Sequence, residues 1–486
     1  MNDALLDEEV VRAKKLKEYA KLGINPYPSI VAVKTDIIDA KDNIDKTFNV
    51  AGRIVSKRPH GKIAFVDITD DSGRLQLFFS IAELNDISNE VFQLLDLGDF
   101  IEAHGSIFVT KAGENTLRVD NFNIISKSIL PYPKEFFGVK DTELRYRKRF
   151  VDFNLNPEAK ETIRTRSVTI TAIRDFMNGH GFIEVETPIL QEIPGGAAAK
   201  PFITHYNTLE HDFYLRIATE LHLKRMIVGG FEKVYEIGRI FRNEGLSHMH
   251  NPEFTSMEFY WAYRDYKFLM KFTEELIESV VKTVKGSANV EYQGKNIDFT
   301  APYPIIKFAD LIKKDTGIDI NKEDTFEKLT LAINKAKIKL DSADAKVWEK
   351  LTDELYKKTS RPKIIDPIFV INQPIEMTPL AKRDENNPRE AQRFQLVCGG
   401  GLEILNAYTE LNDPIEQEKC LKDQVKLRDA GWEEGQMMDE NFVEALAFGM
   451  PPTAGWGIGI DRFVMLLTNE YSIKEVIAFP TLKPEK

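Results

Sequence analysis

The sequence predicts an α+β protein of more than one domain, and three observations carry that reading. The chain has 486 residues, more than one ordinary core accommodates. Residues 48 to 130 contain five short segments of strand character separated by turns, the pattern of a small Greek-key barrel. Beyond residue 144, strands and helices mix without a regular βαβ rhythm, which points to a largely antiparallel sheet with helices.

Composition narrows the class. With 43% hydrophobic and 29% charged residues the chain reads as globular. No apolar run approaches the roughly 18 residues of a membrane span, and "MNDALLDEEVVRAKKLKEYA" is charged rather than signal-like, so a cytoplasmic location with no membrane partner is expected. Cys398 and Cys420 are the two cysteines, and neither sits in a CxxC or Cys/His cluster, which excludes a disulfide framework and a zinc site. A formal net charge of -11 argues against nonspecific coating of nucleic acid and leaves room for local basic patches.

Residues 1–47 read as an N-terminal helix, about 6 to 22, followed by a proline-bearing turn at "INPYPS", the helix's mixed charges facing solvent. Residues 48–130 then supply the barrel, of the OB-fold type that binds single-stranded nucleic acid on one face. Arg53, Lys57, Arg58 and Lys62 cluster near two of its strands, with Phe65, Gln76 and Phe78 beside them, and aromatic plus basic residues make a base-stacking platform. The same phenylalanines would equally serve as barrel core. A linker at 131–143 leads to the second domain, 144–486, whose first long helix has Asn156 as cap, Pro157 in the first turn, and Gly179 and Gly181 as its stop. Residues of about 305–362, with lysine and leucine or isoleucine at helical spacing, predict a helical insertion.

Three stretches concentrate chemistry. "FRNEGLSHMHNPEF" (241–254) joins two alternating segments as a hairpin loop, which puts Phe254, Ser256, Glu258 and Tyr260 on one strand face, and buried Arg242 and Glu258 would need partners. In "GMPPTAGWGIGIDRFVMLL" (449–467), Gly455, Gly457 and Gly459 bare one strand face for something flat, and Asp461 is placed to cap the following helix while Arg462 points to the ligand end. In "EILNAYTELNDP" (403–414), Asn406, Tyr408 and Glu410 alternate on one face, and Glu403 would hold a metal or face water.

Together with "GFIEVETPIL" (181–190), "RYRKRF", "IPGGAAAKPF" and "RIATELHLKRMIVGGFEKVYEIGRIFRNEG", these stretches resemble the class II aminoacyl-tRNA synthetases, most closely the lysyl-tRNA synthetases of bacterial type, over nearly the whole chain. The resemblance implies an anticodon-binding OB-fold followed by the antiparallel-sheet catalytic domain of class II enzymes. It also implies lysine–tRNA ligation, with ATP, L-lysine and tRNA(Lys) as partners, Mg²⁺ as cofactor, and a homodimer formed at the first of the three motifs. By the same resemblance Arg242 bridges the α-phosphate and the substrate carboxylate, Phe254 stacks on adenine, Arg462 covers its other face and reaches the γ-phosphate, Glu244 takes the adenine amino group, and His250 lies near the phosphates. Gly196 and Glu220 take the α-amino group, Asn406 assists with the carboxylate, and Tyr408 walls the side chain. Arg58, Phe65 and Gln76 would read the anticodon.

The amino-acid pocket follows from residue chemistry as well. Glu258, Tyr260 and Glu410 would place two carboxylates and a phenol around one buried volume, and two buried carboxylates demand a cation such as an ε-ammonium. An aspartyl or asparaginyl enzyme shares the motifs but would not suit Glu258 beside Glu410. A synthetase-like RNA-binding or regulatory protein without charging activity is the rival of another class, opposed by intact Arg242, Glu244 and Arg462. A lysyl-transferring protein modifier would resemble the catalytic domain alone. For Mg²⁺ the family uses two glutamates. One falls at Glu403, expected here as the main ligand; the other follows an Arg-Phe pair, where this chain has Gln395, and "QLVCGGGLE" is one residue longer than the family pattern.

Overall fold

The computed structural model describes residues 3–131, 141–340, 347–429 and 435–485. Most of the predicted linker, 132–140, lies outside the described residues, and a helix already begins at Thr142. The chain divides into two compact units, Met1–Phe136 and Phe137–Lys486.

In the first unit all five predicted strands form: β1 (Thr47–His60), β2 (Ile63–Thr69), β3 (Arg74–Ser80), β4 (Phe100–Val109) and β5 (Asn115–Ser126), closed in the order β1-β2-β3-β5-β4. Closure leaves no unpaired edge. Alternating inward residues such as Val50, Ile54, Val66, Ile68, Leu75 and Leu77 fill the barrel. A helix unanticipated from the sequence, Asp86–Leu94, is capped by Asn85, whose side chain accepts from Ser88 N. The N-terminal helix Asp3–Lys21 is less solvated than its charges suggest. Tyr19 is fully buried in the barrel core, Arg12 donates to Leu97 O at 2.9 Å, and Lys15 meets Asp96 at 2.6 Å.

The second unit is built on an eight-stranded sheet. Its strands lie side by side in the order Ile305–Lys307, Ile368–Ile371, Arg393–Cys398, Leu402–Thr409, Thr453–Gly459, Glu253–Ala262, Lys233–Phe241 and Ile183–Glu184. The six inner strands pair antiparallel, and each outermost strand is parallel to its neighbour. Period two sorts the side chains of the central strands. Met257, Phe259, Leu405, Ala407, Trp456 and Ile458 face a core shared with helices Pro157–Gly179, Tyr266–Lys285 and Ile460–Leu467. The alternate residues face a cavity. Helix Pro157–Gly179 starts where expected, but Asn156 caps it without a side-chain bond. Helices Phe308–Thr316, Phe326–Lys335 and Trp348–Thr359 share a separate core with Val370 and Val397 of the sheet.

Candidate active site

Two cross-strand rows form the cavity floor: Glu258, Gly457 and Asn406 in one, Tyr260, Gly455 and Tyr408 in the other. The glycines answer to these neighbours more than to anything flat. A Cβ on Gly455 would lie 2.0 Å from Glu410 Oε1 and 2.5 Å from the Tyr260 ring, and one on Gly457 would lie 3.3 Å from Glu258 Cγ. The cavity, about 400 Å³, is lined by Gly196, Glu220, Arg242, Glu244, His250 and Phe254 on one side, and by Glu258, Tyr260, Glu403, Asn406, Tyr408 and Arg462 on the other. It is within the size range of ligand sites. Glu410 lies just beneath, 1% exposed, behind Gly455.

The deep end is acidic. Glu220 Oε2 accepts from Tyr408 Oη at 2.7 Å, and Glu258 Oε1 accepts from Thr219 N at 3.4 Å. Burial, with Glu220 nearby, pushes the Glu258 carboxyl up to about 7. Lys224, fully buried and not singled out from the sequence, donates from Nζ to Glu220 Oε1 at 2.6 Å and forms an ion pair with Glu410. The signal was available, since Lys224 follows Glu220 by four positions and so shares its helix face. Part of the cation demand read from Glu410 is therefore met from within the chain, while Glu410 Oε1 keeps no hydrogen-bond partner among the described residues.

The other end is basic. The loop 242–252 returns Arg242 toward Phe254, its guanidinium 5.2 Å from the ring centroid, and Arg242 Nε and Nη2 donate weakly to Ile217 O at 3.4 Å. Arg462 Nη2 lies 3.2 Å from His250 Nε2. Burial and then Arg462 hold the His250 imidazole down at about 4, so its neutral ring accepts that bond. Arg393, a further cavity residue that sequence reasoning passed over, donates from Nε to Asn406 Oδ1 at 2.6 Å.

Asp461 does not cap its helix; Gly459 does. Instead Asp461, 1% exposed, accepts from Thr255 N at 2.6 Å and Arg166 Nη1 at 2.5 Å, tying the Glu253–Ala262 strand to helix Pro157–Gly179. A second tie explains Gly238: its missing side chain admits Arg216, which is bonded to Glu236, while Glu236 Oε2 accepts from Thr187 Oγ1 at 2.7 Å.

Of the two positions expected to hold magnesium, one lines the cavity and the other does not. Gln395, 7% exposed, pairs with Asn406 and so continues the Glu258–Gly457–Asn406 row, but it does not line the cavity: beyond Asn406 the row passes to Val370, which with Val397 packs in the core shared with Leu351, Leu355 and Tyr356 of the insertion. Glu403 does line the cavity, but its Oε2 accepts from Arg361 Nη1 at 3.3 Å. Among the described residues no three His, Cys, Asp or Glu side chains group as a metal set. The residues present do not fit a metal ion held between positions 395 and 403.

On the barrel, Arg58, Phe65 and Phe78 form one row, with Phe65 5.6 Å from Phe78 and Phe78 5.8 Å from Phe108. All four side chains are half-buried. Gln76 is largely buried and accepts from Thr116 Oγ1 at 3.0 Å, and Arg58 is paired with buried Asp67 at 2.6 Å. Lys57 is not on this surface. Its Nζ donates to Phe92 O at 2.6 Å and Leu95 O at 2.9 Å, and burial lowers it to about 8. Arg53 likewise donates to Gly98 O.

Residues 141–483 match the family described as tRNA synthetases class II (D, K and N), and residues 48–125 match the OB-fold nucleic acid binding domain. The chain belongs to the class II aminoacyl-tRNA synthetases of the D, K and N group. Among its curated relatives are the lysine–tRNA ligases of Dehalococcoides mccartyi, 47% identical over 98% of each chain, and Pelotomaculum thermopropionicum, 47% identical over 98% of this chain and 95% of the relative. That of Clostridium perfringens is 44% identical over 100% of this chain and 98% of its own. Among the described residues no helix is long and apolar enough to cross a membrane.

Proposed function

We propose that the chain is a lysine–tRNA ligase, which activates L-lysine with ATP and transfers it to the 3′ end of tRNA(Lys). The observation that carries the amino-acid choice is the excess of carboxylate at the deep end. Glu220, Glu258 and Glu410 converge there, Lys224 is the ammonium that touches two of them, and Glu410 Oε1 remains open. A ligand cation offsets that charge; an aspartate side chain would add to it.

In the first step a lysine carboxylate oxygen attacks the α-phosphorus of ATP, the α–β anhydride bond breaks, and pyrophosphate leaves. A ribose hydroxyl of the tRNA terminus then attacks the lysyl carbonyl carbon and AMP leaves. Neither step needs a protein nucleophile, so positioning and charge neutralisation supply the rate. Arg242 would hold the carboxylate against the α-phosphate, Arg462 and neutral His250 would meet the outer phosphates, and Phe254 and Glu244 would fix the adenine. Gly196 and Glu220 would receive the α-amino group, Tyr408 would wall the side chain, and Asn406, itself held by Arg393, would aid the carboxylate. Mg²⁺, brought by ATP, would offset the charge of the leaving pyrophosphate. The Phe65 row, with Arg58 and Gln76, would stack and read anticodon bases. Exposed Val168 on helix Pro157–Gly179 and Ile183, Ile189 and Leu190 in "GFIEVETPIL" are what a homodimer contact would cover, and charging tRNA for protein synthesis would be work for the cytoplasm.

Lysine-dependent pyrophosphate exchange, followed by charging of tRNA(Lys), tests the reading. Exchange driven by aspartate or asparagine instead, or nucleotide binding with no exchange at all, overturns it. Sedimentation of the purified chain as a monomer at assay concentration would remove the dimer.

A further inference from the structure

The stretch "QLVCGGGLE" (395–403) contains three consecutive glycines, Gly399, Gly400 and Gly401, all with positive φ. The close approach of another segment requires them. Gly399 N and Gly400 N donate to Ile365 O and Ile364 O, each at 2.7 Å, and a Cβ on Gly401 would lie 3.1 Å from Arg361 O and 3.2 Å from Pro362 Cα. The turn thereby seats the end of the helical insertion against the strand that carries Glu403. Arg361 stands at that end, beside the cavity lining rather than in it, and its Nη1 reaches the lining residue Glu403 at Oε2, 3.3 Å away, the two side chains 22% and 25% exposed. Glu403 lines the cavity, at the end where Arg462 and His250 meet. The residue that would complete a two-carboxylate metal site is Gln395, buried under the insertion with its Oε1 unpartnered.

We propose that Arg361, docked by the glycine turn and held by Glu403, is a built-in cation for the outer phosphates of the nucleotide, standing where a metal ion between two carboxylates would otherwise stand. The proposal rests on the ATP-dependent reading above and replaces the expectation that Glu403 is the main metal ligand. A guanidinium stays charged, presents donors in a fork that suits phosphate, and repels a second cation placed on the same carboxylate.

Mn²⁺ bound in the presence of a non-hydrolysable ATP analogue, counted by electron paramagnetic resonance, tests this on the full chain without lysine or tRNA. Glu403→Gln should leave the wild-type count unchanged. Arg361→Met should weaken the analogue about tenfold, as loss of a charge-assisted phosphate contact does, and should bind an additional Mn²⁺. Adding Glu403→Gln to Arg361→Met should remove that extra ion. A lower count in Glu403→Gln alone, or an Arg361→Met variant with wild-type count and affinity, overturns the proposal. Lack of lysine-dependent exchange would instead sink the functional reading and leave the ion count interpretable.

Discussion

The barrel and the catalytic cavity both gather basic side chains, and they treat them in opposite ways. In the barrel Lys57 is turned onto Phe92 O and Leu95 O, Arg53 onto Gly98 O, and Arg58 onto the buried carboxylate of Asp67. What stays available is the aromatic row of Phe65, Phe78 and Phe108. Among the described residues Arg242 and Arg462 of the cavity make weak or neutral contacts, with Ile217 O and His250, while the carboxylates at the far end outnumber the lysine among them. A stacking platform draws affinity from π-faces and tolerates cations already neutralised. A site that stabilises charge developing in a reaction needs its cations preorganised and unpaired.

The largest effect should come from breaking the neutralised cation buried beneath the acidic end of the cavity. Lys224→Met leaves Glu220 and Glu410 as buried carboxylates without their partner, a change expected to cost about 3 to 5 kcal/mol of stability by denaturant unfolding. A loss near zero would mean that these carboxylates are protonated in the native state. Arg242→Ala removes an unpaired cation, and the rate of lysine-dependent exchange should fall by about 10² to 10³ with the fold intact by circular dichroism. If only the lysine KM moves, Arg242 binds ground state and transition state equally. On the barrel, Phe65→Ala should weaken tRNA(Lys) binding by roughly 1 to 3 kcal/mol and leave adenylate formation unchanged. An equal fall in both would make Phe65 a core residue.

A finer effect concerns Glu258, whose carboxyl is pushed up to about 7 by burial and by Glu220. Below that pH the group is protonated, and a cationic ligand must displace the proton; above it the carboxylate is already formed. Lysine affinity should therefore rise as pH increases through about 7 and then level, with proton release seen as a dependence of calorimetric heats on buffer ionisation. Glu258→Gln should abolish the buffer dependence, and its persistence would assign the proton elsewhere. The smallest effect sharpens the contrast: Lys57→Met should change tRNA affinity by no more than about 0.5 kcal/mol, and a larger loss in a filter-binding titration would restore Lys57 to the nucleic-acid face.

Much of this was legible in the sequence. Period two in "TSMEFYWAY" and "EILNAYTEL" placed Glu258, Tyr260, Asn406 and Tyr408 on strand faces, and the structure brings those faces together on adjacent strands. The barrel strands were visible because turn residues separate them. Period two puts Lys57 and Arg58 on opposite faces, but which of the two joins the aromatic row was not legible, since the β1–β2 register shifts between Ile54 and Ser56 and both residues read simply as basic. Asp461 looked like a cap because a carboxylate at a helix start usually is one, yet the helix begins one residue earlier and the carboxylate serves Thr255 N and Arg166.

By itself the sequence determined the five barrel strands, the long helix beginning at Pro157, and which side chains of the central strands share a face, because these follow from local sterics and from the periods of helix and strand. Only the tertiary structure decided the partners of the charges. Lys224 meets Glu410 across 186 positions, and Arg361 meets Glu403 because three glycines let a distant backbone lie against theirs. Coulombic partnership depends on distance and burial in space, and neither is written in the spacing of residues along the chain.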